Sequence, residues 1–572
     1  MTADTLARLQ EKLLEEENLL LRVEAVLLYP HVGGYSTLPF DPATQILEPP
    51  RPTEIKALWR WWARVILSAV YGGTRDYKEL EESDARIGEM LGERGASSLF
   101  TLRISIIDFK NIENDVKGKY DIYHKDYDGL KKDLINLMNG FAHRNNIIQC
   151  RVSNVEFRSL RNISLYFECR KDEMKKLNKI FKRNNIKLKI IRDRSGRSKN
   201  NYVLRITPRN VDELGKIIGE NKEYEVILLK IKEYFRYGNI ARIFLLSQSR
   251  EGEDLKKLAS ENALLDSYKH SKIIIDLSMR SVLDRSVYLH DVNKIKFALW
   301  SFVTSLVFGS IGYASRRGFG SIVVESVVEG SVLRRDLQYL SEDVESIKGI
   351  IKEIKNSDSP EKIEKQLYTL LEKTFEKAKA MYGRGANEGG APPIPEVPTA
   401  PLSSCFKLKV FRCRDPLHAL VCISKATLKE EWMNIVRGAG RTPNRSKLHT
   451  WILGLPRSVQ KRQKREKRGY LLCDRDEEVR RPSAIHFKLL TNSKGTFIVV
   501  YGFLSEDWPV HRLCYKGSGS PTPVDEIDVY TPSGRLVRTK PPSFLHIVFD
   551  AAFSFVTEVL NRCCGAGGQG GS

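Results

Sequence analysis

What the chain lacks narrows its chemistry first. It has no G-x-x-x-x-G-K-[ST] motif, and its glycine-rich stretch before Glu325 holds no G-x-G-x-x-G, so nothing points to a nucleotide cofactor. Its nine cysteines are an odd count and include no C-x-x-C. Cys405, Cys413 and Cys422 are separated by seven and eight residues, with His418 among them. Structural zinc sites usually pair close ligands, so the cysteines are read as buried or reduced thiols. No run of about 18 apolar residues marks a membrane span. The opening MTADTLARLQEKLLEEENLL lacks the basic and apolar regions of a signal peptide, and its acids argue against a transit peptide. The expectation is a cytosolic chain with no metal, no cofactor and no membrane partner.

What is present is length and positive charge. A chain of 572 residues should hold more than one domain. Lys and Arg number 93 against 71 for Asp and Glu, a net charge of +22. That balance favours a polyanion, either nucleic acid or an anionic membrane surface.

The stretch around which the chain is organised is NKIKFALWSFVTSLVFGSIGYASRRGFGSIVVE, Asn293 to Glu325. It opens as a helix apolar on most sides, hence buried. It then passes through Gly309, Gly312, Gly318 and Gly320, with Arg316 and Arg317 between them, and ends in a β-branched strand. Glycines let the main chain approach a sugar-phosphate backbone closely, and an arginine pair supplies forked donors matched to phosphate. The plainer alternative is a helix-to-strand turn with solvated arginines.

Earlier, the strand LRVEAVLLYP leads into a Pro/Gly-rich passage carrying His31, Gly33, Gly34 and Asp41. Thr53 is expected to cap a helix whose core face is Ile55, Leu58, Trp59, Trp62, Val65 and Ala69. Lys56, Arg60 and Arg64 sit four apart and form a basic stripe, read either as solvated charge or as phosphate contacts. Trp61 lies off the apolar face, suited to an interface or to stacking on a base.

The glycine-arginine loop, and the helix segment Leu58-Trp59-Arg60-Trp61-Trp62-Ala63-Arg64 after a strand and a glycine turn, resemble the RAMP superfamily of CRISPR proteins. More narrowly they are similar to the subunit-one family of the type III-B (Cmr) CRISPR effector complex. Lys56 and Ala57 stand where that family usually has a small residue and Gly. The resemblance implies an α+β fold: two tandem RRM-like (ferredoxin-like) domains with a large insertion in the first and extra helices. On that frame residues 1–330 are the first domain, with 109–271 inserted. Residues 331–383 are helical and 384–401 are a Gly/Pro linker. A second domain spans 402–562, and 563–572 form a flexible tail.

Within the insertion, NISLYFECRKDEMKKLNKIFKRNNIKLKIIRD reads as strand, helix, strand, with its most basic part from Lys182 to Arg209. In the second domain FKLKVFR and HALVCIS read as strands and ATLKEEWMNIVRG as a helix. SAIHFKLL and KGTFIVVYGFL read as strands, and FLHIVFDAAFSFVTEVL as a closing helix. From Arg457 to Arg468 seven cations and one acid, among them Lys461, Arg462, Lys464 and Arg465, lie on a segment without apolar periodicity. It reads as a mobile basic arm flanked by Arg441, Arg445 and Arg481.

The resemblance implies a non-catalytic RNA-binding subunit that caps a CRISPR ribonucleoprotein near the guide RNA 3′ end and helps hold target RNA in antiviral defence. Guide RNA, target RNA and further subunits would be its partners. Recognition would be of backbone and 2′-hydroxyls. The rival from another class is a metal-independent endoribonuclease with His31 as general base and Asp41 as second candidate. A third reading is a nucleic-acid-binding protein acting alone.

Overall fold

The computed structural model describes residues 18–28, 50–70, 77–92, 98–110, 127–147, 149–159, 162–183, 188–191, 201–206, 211–218, 224–229, 231, 270–279, 292–312, 315–335, 337–382, 405–454, 457–461, 464–472, 482–505, 508, 513–517, 521–524, 527–539 and 544–565. It is a mixed helix-and-sheet protein that divides into two compact units. One comprises residues 1–111 and 267–572, the other residues 112–266.

In the larger unit the first sheet is built from β1 (Leu19–Leu28), β2 (Phe100–Lys110), β7 (His270–Met279) and β8 (Ser321–Glu329). Its order is β2-β7-β1-β8, with every neighbouring pair antiparallel. Between β1 and β2 run α1 (Pro52–Val70) and α2 (Tyr77–Leu91). The start of α1 differs from the expected Thr53 cap. Pro52 opens the helix, where its missing N–H is harmless, and the Glu54 carboxylate accepts a hydrogen bond from the Arg51 N–H at 3.1 Å. Trp59, Trp62 and Val65 are buried as the helical spacing requires. Trp59 Nε1 donates to Ser301 Oγ at 2.9 Å on the central apolar helix of the larger unit, Val292–Phe308.

The smaller unit begins with α3 (Tyr127–Arg144) and continues through β3 (Cys150–Ser159), β4 (Asn162–Cys169), α4 (Lys171–Arg183), β5 (Leu188–Ile191), β6 (Asn201–Ile206) and α5 (Val211–Ile218). Its antiparallel sheet has the order β3-β4-β6-β5. One core joins Leu134 and Phe141 of α3, Leu177 and Phe181 of α4, and Leu214 of α5 to Leu165, Phe167 and Leu204 of the sheet. A disulfide joins Cys150 to Cys169, which face each other across the β3–β4 ladder.

The larger unit resumes with β7 and continues through α6, the Val292–Phe308 helix, to β8, α7 (Ser331–Arg335), α8 (Ser341–Asn356) and α9 (Pro360–Tyr382). Asp343 of α8 gathers this layer: Trp300 Nε1 donates to it at 2.8 Å, and Lys377 and Lys296 approach it at 2.7 and 3.4 Å. Burial opposes ionisation of its carboxyl, but these donors outweigh it and hold the pKa below the ordinary value.

The second sheet is β9 (Phe406–Cys413), β12 (Ile485–Asn492) and β13 (Gly495–Phe503), in the order β12-β13-β9. Against it lie α10 (Pro416–Ala426) and the final helix, Phe544–Gly565, and α11 (Lys429–Gly438) packs on these helices. The HALVCIS run, read as a strand, is the body of α10. Asp415 accepts a hydrogen bond from His418 N at 2.7 Å and Pro416 follows it, so the helix is nucleated from its N-terminus. A short apolar run does not distinguish a strand from a buried helix.

The basic stretch read as an arm is a hairpin, β10 (Arg457–Lys461) and β11 (Lys464–Leu472). It extends through β14 (Leu513–Lys516) to β15 (Thr522–Pro523). Strand identity here comes from pairing with β14, which apolar periodicity cannot report. A small ladder of β16 (Ile527–Tyr530) and β17 (Leu536–Thr539) precedes α12, the Phe544–Gly565 helix. This last helix is long and apolar enough to cross a membrane by length and composition, with a mean hydropathy of 1.4 over its most apolar window. More than half of that window is buried in the fold, and Phe555 stacks on Trp432 of α11 at 4.9 Å.

Cys405 is a buried thiol as expected, but the other described cysteines depart from that reading. Besides Cys150–Cys169, Cys413 pairs with Cys564 and Cys422 with Cys563, and Cys514 is also disulfide-bonded. The two pairs to the Phe544–Gly565 helix join residues 151 and 141 apart, so no local spacing could reveal them. Helix α12 runs through Cys563 and Cys564 to Gly565, so these residues close a helix and do not open a tail.

Candidate nucleic-acid interface

The glycine-arginine loop forms the joint between the two sheets of the larger unit. Where α6 ends, its last carbonyls lack intrahelical partners, and the second sheet supplies them. The Lys488 Nζ donates to Leu306 O at 2.7 Å and the Tyr501 hydroxyl to Phe308 O at 2.9 Å. Lys488 is fully buried, which pushes its pKa well below that of a free lysine, and burial raises that of Tyr501. Beyond the helix the loop runs along the edge of β12. Phe487 N donates to Arg316 O at 3.1 Å, and Leu489 N donates to Ser321 Oγ at 2.9 Å.

Within the loop, Ile311 N donates to Gly320 O at 3.0 Å and Ile322 N to Gly309 O at 3.3 Å. Gly320 has φ +62°, and a Cβ there would stand 1.9 Å from Ile311 O. Gly318 has φ +89° and would place a Cβ 2.9 Å from Ile423 of α10. These glycines let backbone pass backbone and α10 close over the loop. Arg316, Arg317 and Gly312 are half-buried, and Gly318 and Gly320 are buried.

The stripe on α1 has a structural setting as well. Arg60 donates to the carbonyls of Leu91 and Gly92 at the C-terminus of α2. Arg64 forms a two-pronged pair with Asp84 of α2, at 2.6 and 3.0 Å. Lys56 is half-buried, and burial followed by the neighbouring Arg60 charge lowers its pKa. Trp61 stacks on His486 at 5.8 Å and meets Phe503 edge-on at 5.5 Å, so it lies in the joint between α1 and the second sheet.

Arg441 and Arg445 are exposed. Arg445 is brought to the root of the basic hairpin. The buried Tyr470 of β11 donates through its hydroxyl to Ser446 O at 3.0 Å and reaches Arg445 O at 3.4 Å. Lys429 lies over the Tyr470 and Tyr515 rings at 4.8 and 4.3 Å. Arg457, Lys461, Lys464 and Arg465 fall on the hairpin strands. His31, Gly33, Gly34, Asp41, Arg462 and Arg481 lie outside the described residues, as does the 384–401 linker.

One basic surface escaped the sequence reading. Residues 112–266 hold 33 of the 93 Lys and Arg and 22 of the 71 Asp and Glu, which is +11 of the +22 net charge. On α4, Met174, Leu177 and Phe181 face the core of the smaller unit, while Lys175, Lys176, Lys179, Lys182 and Arg183 are exposed. Lys175, Lys179 and Lys182 are four and three apart, so they share one face. That spacing is present in the sequence, beside the denser and more conspicuous cation run after Lys182.

No family model matches the chain. The CRISPR system CMR subunit Cmr1 of Saccharolobus solfataricus is 24% identical over 315 residues, covering 54% of this chain and 55% of that protein. The match therefore spans about half the length of the curated relative. A chain of a type III-B Cmr-beta complex bound to cognate target RNA and AMPPnP, in the presence of ssDNA, matches over 94% of this chain and all of that one. Its identity is 15% and its TM-score 0.43. Cmr1 from Pyrococcus furiosus in its apo form matches over 92% and 95% of the two chains, with 13% identity and a TM-score of 0.34. In sequence the chain resembles subunit one of the type III-B (Cmr) CRISPR effector complex.

Proposed function

We propose that this chain is a non-catalytic, RNA-binding structural subunit of a type III-B CRISPR ribonucleoprotein acting in antiviral defence. In this reading it sits in the cytosol, contacts guide RNA, target RNA and other subunits, caps the complex near the guide RNA 3′ end and helps hold the target. Its two sheets correspond to tandem RRM-like domains. The first has the split βαββαβ order, and the second shares the β12-β13-β9 core of that order. The likeness to a CMR subunit supports the assembly. The observation that carries RNA binding is the exposed basic face of α4, in a unit with half the net charge of the chain. Lysines four and three apart on a helix meet phosphates as point charges and read no sequence, which suits a subunit that leaves sequence to base pairing.

The test is binding of labelled single-stranded RNA and matched DNA by the full chain across a salt series, with Lys175, Lys179 and Lys182 changed to Ala together. The expected result is salt-sensitive RNA binding without cleavage. The triple variant should lose roughly 2 units of the log–log salt slope, about 0.7 per phosphate contact removed. An unchanged slope would remove α4 from the interface. RNA cleavage that survives EDTA and disappears in His31→Ala would overturn the non-catalytic reading in favour of an endoribonuclease.

A further inference from the structure

Four cysteines from three elements converge at one end of the second sheet: Cys413 closing β9, Cys422 in α10, and the adjacent Cys563 and Cys564 in the last turn of α12. The sulfurs of Cys413, Cys422 and Cys564 all lie within 4.8 Å of one another. Cys422 is bonded to Cys563, and those two share a second cluster of the same span with His418. Cys413, Cys422 and Cys564 are buried, and Cys563 is half-buried. The Cys150–Cys169 disulfide of the smaller unit belongs to neither cluster.

We propose that Cys413, Cys422, Cys563 and Cys564 form a tetrathiolate zinc site in the reduced chain, occupying the place where the structure pairs them as two disulfides. Stapling two helices to a strand needs only separate sulfur pairs. Here a sulfur of one pair also lies beside both sulfurs of the other, as a common ligand requires. Zn–S bonds of about 2.3 Å in a tetrahedron place the sulfurs about 3.8 Å apart, inside the span observed for Cys413, Cys422 and Cys564, and Cys563, bonded to Cys422, would turn toward the other two once reduced. His418 Nε2 stands 3.6 Å from Cys422 Sγ, placed to donate an N–H to that thiolate and hold its orientation. The chemistry balances. Two disulfides accept four electrons and four protons from two equivalents of a dithiol to give four thiols, and Zn²⁺ then displaces four protons.

The test uses the full chain, reduced with a dithiol, freed of excess reductant without air, and titrated with Co²⁺ and then Zn²⁺. The expected result is one Co²⁺ per chain, with the intense visible bands of tetrahedral cobalt and a sulfur-to-cobalt charge-transfer band, all displaced by Zn²⁺. The Cys563→Ser/Cys564→Ser variant should lose these bands, and Cys150→Ser/Cys169→Ser should keep them. Because the wild-type spectrum reports thiolate ligation directly, a variant that misfolds does not decide the matter. A reduced wild-type chain without tetrahedral thiolate bands would overturn the proposal. So would bands that persist unchanged without Cys563 and Cys564.

Discussion

At the joint, Arg316 offers its carbonyl to β12, Lys488 inserts its ammonium under the end of α6, and the glycines let backbone touch backbone. On α4, five cations project from a helix whose opposite face is fully engaged in a core. The joint has the more conspicuous sequence, yet its polar groups bond mostly to protein. The α4 face looks like ordinary surface helix, yet its charge is directed at solvent. Glycine and arginine density marks where the chain must fit closely, and exposed, evenly spaced cations mark where it can meet a polyanion. The two regions should therefore fail differently when altered, the joint in stability and α4 in binding.

The largest effect is expected at Gly320. An alanine there combines a left-handed backbone, which costs an L-residue about 1–2 kcal/mol, with a Cβ driven against Ile311 O, worth about 1–3 kcal/mol more. Urea denaturation of Gly320→Ala should show a loss of about 3–4 kcal/mol. Lys175→Ala on α4 should stay within about 0.5 kcal/mol of the parent. Equal, small effects at both positions would erase the contrast between the regions.

Much of this was legible in the sequence. The first and last strands of the first sheet, the Trp-rich helix and the apolar α6 follow from patterns that local packing obeys. The loop was located correctly between a helix and a strand, but its partner was not legible, because Phe487 and Leu489 lie about 170 residues away and no local pattern links them to Arg316 or Ser321. Separations of 151 and 141 residues hid the disulfides to α12 in the same way, and the engagement of Arg60 and Arg64 by α2, only 20 to 32 residues on, leaves no local pattern either. Helix α10 reads as a strand because five apolar residues in a row, Ala419 to Ile423, obscure periodicity, although Asp415-Pro416 is a usable start signal.

A second expected effect provides an acid baseline outside the joint. His449 is buried, with its Nδ1 accepting from Trp451 Nε1 at 3.1 Å and its Nε2 facing Asp528 O at 3.3 Å, so the ring fits as a neutral donor–acceptor. Burial lowers its pKa to about 4. Between that value and the unfolded value of about 6.5, the unfolded chain binds a proton that the folded chain does not. Stability therefore falls as pH drops through this window, by up to roughly 3 kcal/mol. His449→Asn, which tolerates the left-handed φ of 46°, should flatten this acid limb. An unaltered limb in that variant would assign it to carboxylates instead.

The smallest effect at neutral pH, and the sharpest for the joint, is expected from Lys488→Met. Removing the ammonium leaves Leu306 O without its donor, a loss of about 1–3 kcal/mol, but also relieves the burial of an ionisable group in apolar surroundings. The two terms oppose, so stability at pH 7 should change by no more than about 1 kcal/mol. The pH dependence separates them. The folded pKa of Lys488 is depressed, so from that value up to about 10.4 the unfolded chain carries the extra proton, and wild-type stability rises with pH by as much as about 1.4 kcal/mol per unit. Tyr501 acts in the opposite sense: its folded pKa is raised, so above about 10 the unfolded chain has released a proton that the folded chain keeps, and stability declines. Wild type should thus show an alkaline rise and then a fall. Lys488→Met should lose the rise and keep the fall. If both chains trace the same alkaline curve in urea titrations, Lys488 keeps its ordinary pKa, and the joint is wet where the geometry makes it dry.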